Sequence, residues 1–259
     1  MPFIDQPDFS MYYEMSGSGS ETILLLHGNL ASVRWWDKYL PHLPPGFRAV
    51  AIDLRGCGCS GRTAAGYTIA QFAEDVHFFT QQLNLTKFHL IGHSMGGQIA
   101  LLYALQHPGI VKTVTLLDSV PASGLRLDDD ARAAFDVLMT DKAVLQQAIH
   151  ACMQYSDDHA FVERACNDAF HCAPQVFTHN PVTMANTGLL DKVQSIDVPV
   201  LLIHGCDDLI IPIRDMDATI QAMPFAQVVI FEQCGHSPQI EYPEKFSEVF
   251  NNFINKYPI

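Results

Sequence analysis

Short runs of consecutive apolar residues alternate along the chain with longer stretches whose apolar positions recur every three to four residues. The short runs cover residues 23–26, 49–52, 88–91, 114–117, 200–203 and 228–231. Each is too short for a helix, is rich in leucine or β-branched residues and is followed by glycine or polar turn residues, which predicts strands buried on both faces. Between them, residues 67–83 place Ile69, Phe72, Ala73, Val76, Phe79 and Leu83 at helical spacing, and residues 94–105 predict a second helix that Pro108 stops. This alternation predicts an α/β fold with a mostly parallel, doubly wound sheet. Ahead of it, residues 9–15 alternate weakly and run into Ser16-Gly-Ser-Gly-Ser20, which suits a hairpin at the sheet edge.

The rhythm breaks after Asp118. Residues 120–190 are helical and loop-like, with Phe135, Met139, Met153, Phe161, Phe170, Phe177 and Met184 but no convincing strand, and the strand pattern returns at 198–203. A separate domain of that size would need its own core. The chain is therefore divided into a first core part at 1–119, a helical lid or cap insertion at 120–190 and a second core part at 191–259.

Composition narrows the class. With 48% apolar residues, 16 Phe, 8 Tyr and 2 Trp, the chain has ample material for a packed core. Its 28 acidic against 15 basic residues give a formal charge of -13, which repels phosphate backbones and anionic lipid surfaces, so neither nucleic acid nor membrane is an expected partner. No apolar run approaches the ~18–20 residues of a bilayer span, and the first residues lack a cationic and apolar leader pattern, which makes the cytoplasm the expected location. The seven cysteines lack paired metal-site spacing and are expected to be reduced.

The candidate chemistry centres on Lys87-Phe-His-Leu-Ile-Gly-His-Ser-Met-Gly-Gly97, a strand, then G-x-S-x-G, then a helix. Its glycines permit a sharp turn that lifts the Ser94 hydroxyl above the sheet, at a helix N-terminus that favours developing negative charge. A serine hydroxyl needs a base, and the base needs an acid to orient it. His236, in Gln233-Cys-Gly-His-Ser-Pro238 after the last strand, is the candidate base. The acid is expected in Ile203-His-Gly-Cys-Asp-Asp-Leu-Ile-Ile-Pro212, where Asp208 is preferred by its place in the turn and Asp207 is read as solvated or capping. The backbone amides of Asn29, after His27-Gly28, and of Met95, after the serine, are the candidate oxyanion donors. Leu30 and Ile210, beside the oxyanion turn and the acid, are the candidate substrate contacts.

Over essentially its whole length the chain resembles the α/β-hydrolase superfamily. The matching signatures are His27-Gly28, Asp53-Leu-Arg-Gly-Cys-Gly-Cys-Ser60, the Ser94 elbow, the loop from Gly205 to Pro212, and Gly235-His236 with Glu241-Tyr-Pro-Glu244. The resemblance implies an α/β-hydrolase fold with a helical lid, and a Ser-His-Asp mechanism that uses neither metal nor organic cofactor. Dehalogenase and epoxide hydrolase branches carry an aspartate nucleophile followed by tryptophan, where this chain has Ser94 and Met95. Meta-cleavage carbon–carbon hydrolases share Ser-Met-Gly-Gly but typically have a glycine-rich oxyanion turn and asparagine before the serine, where this chain has Asn29-Leu30-Ala31 and His93. The expected activity is hydrolysis of a small to medium, mainly apolar carboxylic ester or related acyl compound through an acyl-enzyme. Carbon–carbon hydrolase, lactonase and thioesterase are the competing activities, and a small-molecule receptor or signalling protein is the non-enzymatic alternative on the same fold.

Overall fold

The computed structural model describes residues 2–258. Its eight-stranded sheet has the order β1-β2-β4-β3-β5-β6-β7-β8. The strands are β1 (Phe3–Asp5), β2 (Ser10–Gly17), β3 (Glu21–Leu26), β4 (Phe47–Ile52), β5 (Phe88–His93), β6 (Val111–Leu117), β7 (Val200–Gly205) and β8 (Gln227–Phe231). The pairs β1–β2 and β2–β4 are antiparallel, and every later neighbour is parallel. β5 and β7 are buried at every residue and β3 at five of six, because helices cover both faces of the parallel region.

Chain order reverses across β3, which pairs with β4 on one side and with β5 on the other. Connections leaving the carboxyl ends of β3 and β5 therefore diverge and open a crevice between them, the usual ligand position in an open parallel sheet. His27-Gly28-Asn29 and Ser94 follow those two strands directly.

The edge departs from the sequence expectation. The turn at 16–20 does not close a hairpin, since β2 pairs with β1 and β4 while β3 lies beyond β4. Alternation fixes which face of a strand is buried and leaves its partner open.

α1 (Ile69–Gln82), capped by the Thr68 hydroxyl, and α2 (Met95–Gln106) pack side by side. Between β6 and β7 run α3 (Asp129–Thr140), α4 (Lys142–Ala151), α5 (His159–Phe170), α6 (Pro174–Thr178) and α7 (Asn180–Asn186). Asp128 accepts from the Ala131 amide at 3.0 Å, so the run Asp128-Asp129-Asp130 caps α3 and complements its dipole besides being solvated. Phe161, Phe177 and Met153 are buried inside this helical segment, and α3 buries no residue fully. After β7 come α8 (Asp217–Ala222), α9 (Pro238–Glu241) and α10 (Pro243–Ile254), with Pro243 opening the last of them.

No helix among the described residues is long and apolar enough to cross a membrane. All seven cysteines are free thiols, and Cys234 bonds Glu241 Oε2 at 3.2 Å.

A Cβ on Gly92 would lie 2.0 Å from the Gly96 carbonyl oxygen, so β5 and the first turn of α2 meet without room for a methyl. Gly92→Ala should destabilise the fold by about 1–3 kcal/mol or more. Thermal unfolding checks this, with a fall of several degrees expected.

Candidate active site

β5 ends and α2 begins within one residue, and Ser94 makes the turn with φ 54° and ψ -119°. Such a conformation costs a non-glycine residue about 1–3 kcal/mol and needs surroundings that impose it. The Ser94 amide donates to Leu117 O at 3.0 Å, and the Ser94 carbonyl accepts from Gly97 at 2.9 Å and Val120 at 3.1 Å. Val120, the first residue of the predicted insertion, is thus tied to the elbow. Gly28 packs on the same turn, where a Cβ would stand 2.9 Å from Ser94 Cβ.

His236 Nδ1 lies 2.7 Å from Asp208 Oδ2 and donates to it. The other Asp208 oxygen accepts from the amides of Ile210 and Ile211 at 2.8 and 2.9 Å. Burial pushes the Asp208 carboxyl up, but the charge and hydrogen bond of His236 and the Ile211 amide outweigh it and hold the group below the usual carboxylate range. Asp207 turns elsewhere: its carboxylate accepts from the Tyr155 hydroxyl at 2.6 Å and its carbonyl from Gln154 Nε2 at 2.9 Å. It is neither merely solvated nor a cap, because α4 leads Gln154 and Tyr155 over the acid loop.

Two neutral histidines fix the frame. His27 donates through Nδ1 to Gly28 O at 2.7 Å and accepts at Nε2 from the Leu54 amide at 3.0 Å, and burial pushes its pKa down to about 4. His93 donates through Nε2 to the His236 carbonyl at 2.7 Å, while burial and then the nearby His236 charge push it down to about 3. Its ring stacks on Trp35, with centroids 5.3 Å apart. In the sequence His93 serves only to set the elbow apart from that of the meta-cleavage hydrolases, although its place beside the serine is a usable signal for this framing role.

Met95 is the first residue of α2, so its N–H has no intrahelical acceptor, and the Asn29 amide makes no backbone bond among the described residues. Leu30, with φ 55°, follows in the turn. Ser94, His236, Asn29, Leu30 and Ile210 all line one cavity of about 160 Å³. α3, α4 and α7 supply its far wall through residues such as Phe135, Ile149 and Met184.

Asp118, at the carboxyl end of β6, escaped the sequence reading. It is fully buried, has φ 39°, and accepts from the Gly205 amide at 2.8 Å through Oδ1, while Oδ2 has no partner among the described residues. Burial first and the neighbouring Asp208 charge second push its pKa well above the carboxylate range. His204 lies between the two acids, 3.9 Å from Asp118 and 3.5 Å from Asp208, and bonds Ile211 O at 2.7 Å. Asp118, His204 and Asp208 could together offer three metal ligands. Asp208, however, is already committed to His236 and two amides, which suits a hydrogen-bonded support better than an ion cage.

A buried acid that keeps its proton in the folded state, and loses it near pH ~3.9 when unfolded, costs stability increasingly as pH rises from there towards its folded value. Asp118→Asn should therefore gain on the parent chain between pH 4 and 8, with the difference shrinking towards pH 4. Chemical unfolding of both proteins across that range tests it, and a pH-independent difference contradicts the neutral acid.

The α/β hydrolase fold family profile matches residues 21–177. The chain is 28% identical to a pimeloyl-(acyl-carrier protein) methyl ester esterase of Nitrosomonas europaea, over 93% of this chain and 98% of that one. It is 26% identical to a 2-hydroxy-6-oxononadienedioate/2-hydroxy-6-oxononatrienedioate hydrolase of Dechloromonas aromatica, over 95% and 91%. Among solved structures, an esterase from Exiguobacterium antarcticum superposes with a TM-score of 0.87 at 24% identity, covering 95% of this chain and 96% of that one. A match over more than half the chain, with the elbow and sheet order already described, establishes that this protein belongs to the α/β-hydrolase family and is a hydrolase.

Proposed function

We propose that the protein hydrolyses carboxylic esters of small, mainly apolar acyl groups through a Ser94 acyl-enzyme. The observation that carries this reading is the His236–Asp208 pair opening, together with the Ser94 elbow, into one apolar cavity. Ser94 Oγ attacks the ester carbonyl and passes its proton to His236, whose positive charge Asp208 supports. The amides of Asn29 and Met95 hold the oxyanion. Collapse of the tetrahedral intermediate expels the alcohol, which takes the proton from His236. A water then gives a proton to His236 and attacks the acyl carbon, and Ser94 recovers its proton as the acid leaves.

The cavity favours this substrate class on size and polarity. An apolar cavity of roughly 150 Å³ accommodates benzene, so a short acyl chain fits here. Its lining includes no Lys or Arg among the described residues, which leaves no cation for the carboxylates of a dioate. That weighs against the carbon–carbon hydrolase reading. The helical segment at 120–190 acts as a lid in this scheme, since Phe135 and Leu138 of α3 face the cavity while most of α3 is exposed.

A serine-directed phosphonate should add one mass increment, mapping to Ser94, and Ser94→Ala should abolish the label. Ester turnover should fall on the order of 10⁴-fold or more in Ser94→Ala and His236→Ala, and about as much in Asp208→Asn, with Asp207→Asn mild by comparison. Undiminished labelling of Ser94→Ala, or a dead Asp207 variant beside an active Asp208 variant, overturns the assignment.

Phe135→Ala should raise kcat/KM for an octanoyl relative to a butanoyl ester roughly tenfold, by enlarging the wall opposite Ser94. Unchanged chain-length ranking argues that α3 does not shape the acyl site.

A further inference from the structure

His236 sits in a ring of chain that one side chain closes. Glu241, half-buried and the last residue of α9, folds back so that its Oε2 accepts from the Gly235 amide at 2.6 Å and from the Cys234 thiol at 3.2 Å. Gly235 is buried, and its amide has no other acceptor among the described residues. Without the glutamate that amide would carry its whole desolvation cost unless the loop moved to find another partner. The preceding turn also needs restraint, because Gln233 has φ 53°, which is costly for a residue other than glycine. The Tyr242 hydroxyl supplies it by donating to the Gln233 carbonyl at 2.8 Å.

The other side of the loop is closed by the helical segment. A Cβ on Gly235 would stand 2.8 Å from Glu241 Oε1 and 3.3 Å from Gln154 Cγ, so the loop is pressed between the two. Gln154 and Tyr155 already hold the acid loop at Asp207, and the Tyr155 amide donates to Glu241 Oε1 at 3.3 Å. One carboxylate thus meets the base loop with one oxygen and the proposed lid with the other.

The geometry points to Glu241 as a positioning residue for His236, holding the Gly235 end of the base loop while Asp208 holds the imidazole and His93 the carbonyl. Glu241 is not among the residues that line the cavity, so it acts through the loop and touches no reacting atom. Burial penalises its charge more than the Cys234, Gly235 and Tyr155 donors favour it. The role therefore needs an acceptor at this reach and does not need an ionised one. The inference rests on the Ser-His-Asp reading and adds a fourth side chain to it.

Three variants separate reach from charge. Glu241→Gln keeps an oxygen in place, Glu241→Asp keeps the carboxylate but withdraws it by a methylene, and Glu241→Ala removes it. Turnover of p-nitrophenyl butanoate is counted per site titrated to completion with the serine-directed phosphonate, which leaves out molecules that have not folded. On that count kcat should fall roughly tenfold to a hundredfold in Glu241→Asp and Glu241→Ala but no more than about threefold in Glu241→Gln, with KM little changed throughout. Amide hydrogen exchange across residues 234–237 should quicken in the Asp and Ala variants and stay near the parent rate in Glu241→Gln, which reads the loop without any substrate. If Glu241→Ala does not fold, the order of the Gln and Asp variants carries the same test. Parent-like kcat per site in Glu241→Asp, a loss in Glu241→Gln as large as in Glu241→Asp, or a rise in KM alone overturns the inference while ester hydrolysis stands. If the parent hydrolyses no ester and takes no phosphonate, the functional reading fails instead, and exchange at 234–237 alone decides whether Glu241 holds the loop.

Discussion

Ser94 is held at φ 54° by atoms that have little freedom of their own, and much of the site follows from that turn. The amide and carbonyl of Ser94 are bonded to β6, to α2 and to the start of the helical segment, so the strain is distributed over three elements that the core already fixes. The glycines around it serve proximity as much as flexibility. Gly92 lets β5 meet the first turn of α2, Gly96 lets α2 approach the carbonyls of Leu26 and His27 at the end of β3, and Gly28 lets the oxyanion turn rest on the serine Cβ. A larger side chain at any of these would displace the elbow from the sheet before it altered the chemistry.

A layer of buried polar contacts lies beneath that geometry. Asp53 accepts from the amides of Val33 and Cys59, each at 2.7 Å, and so joins the loop after β4 to the turn that carries Trp35. Arg55, 2% exposed at its side chain, grips Asp75 of α1 with two nitrogens at 2.9 and 2.7 Å and also meets Asp8. Removing one partner of such a pair costs about 3–5 kcal/mol, chiefly because a charge is left buried. These residues belong to the Asp53-Leu-Arg-Gly signature, and the contacts show that the signature supports the site from below without touching the cavity.

What could be read in the sequence follows from how local each feature is. β3, β5 and β7 were legible because strands buried on both faces leave unbroken apolar runs. β1 was not, since three residues at an edge, with only Ile4 half-buried, carry no pattern. Ser94, Asp208 and His236 stand in strand-end loops with recognisable spacing, and the structure brings Asp208 to His236 across 28 positions. Asp118 and His204 were illegible because a lone acid or histidine beside a strand is commonplace, and only the register of β6 against β7 sets them together. Trp35 was hidden for the same reason: its stacking on His93 depends on a contact spanning 58 positions of sequence.

The buried charges are arranged so that one acid stays ionised beside another that does not. Asp208 gathers His236 and two amides around its oxygens, whereas Asp118 receives a single amide and is otherwise enclosed. Two carboxylates whose oxygens come within 4.8 Å of each other cannot both be charged cheaply in an apolar surround, so the one with more hydrogen-bond donors keeps the charge. His27 and His93 are held neutral by burial, which spares the cavity floor positive charges that would oppose an imidazolium on His236. Apolar walls from α3, α4 and α7 then strengthen whichever electrostatic contacts remain, because water cannot screen them. In the proposed reaction the same dryness that excludes anionic substrates makes the Asp208–His236 contact and the Asn29 and Met95 amides effective when charge develops on the substrate oxygen.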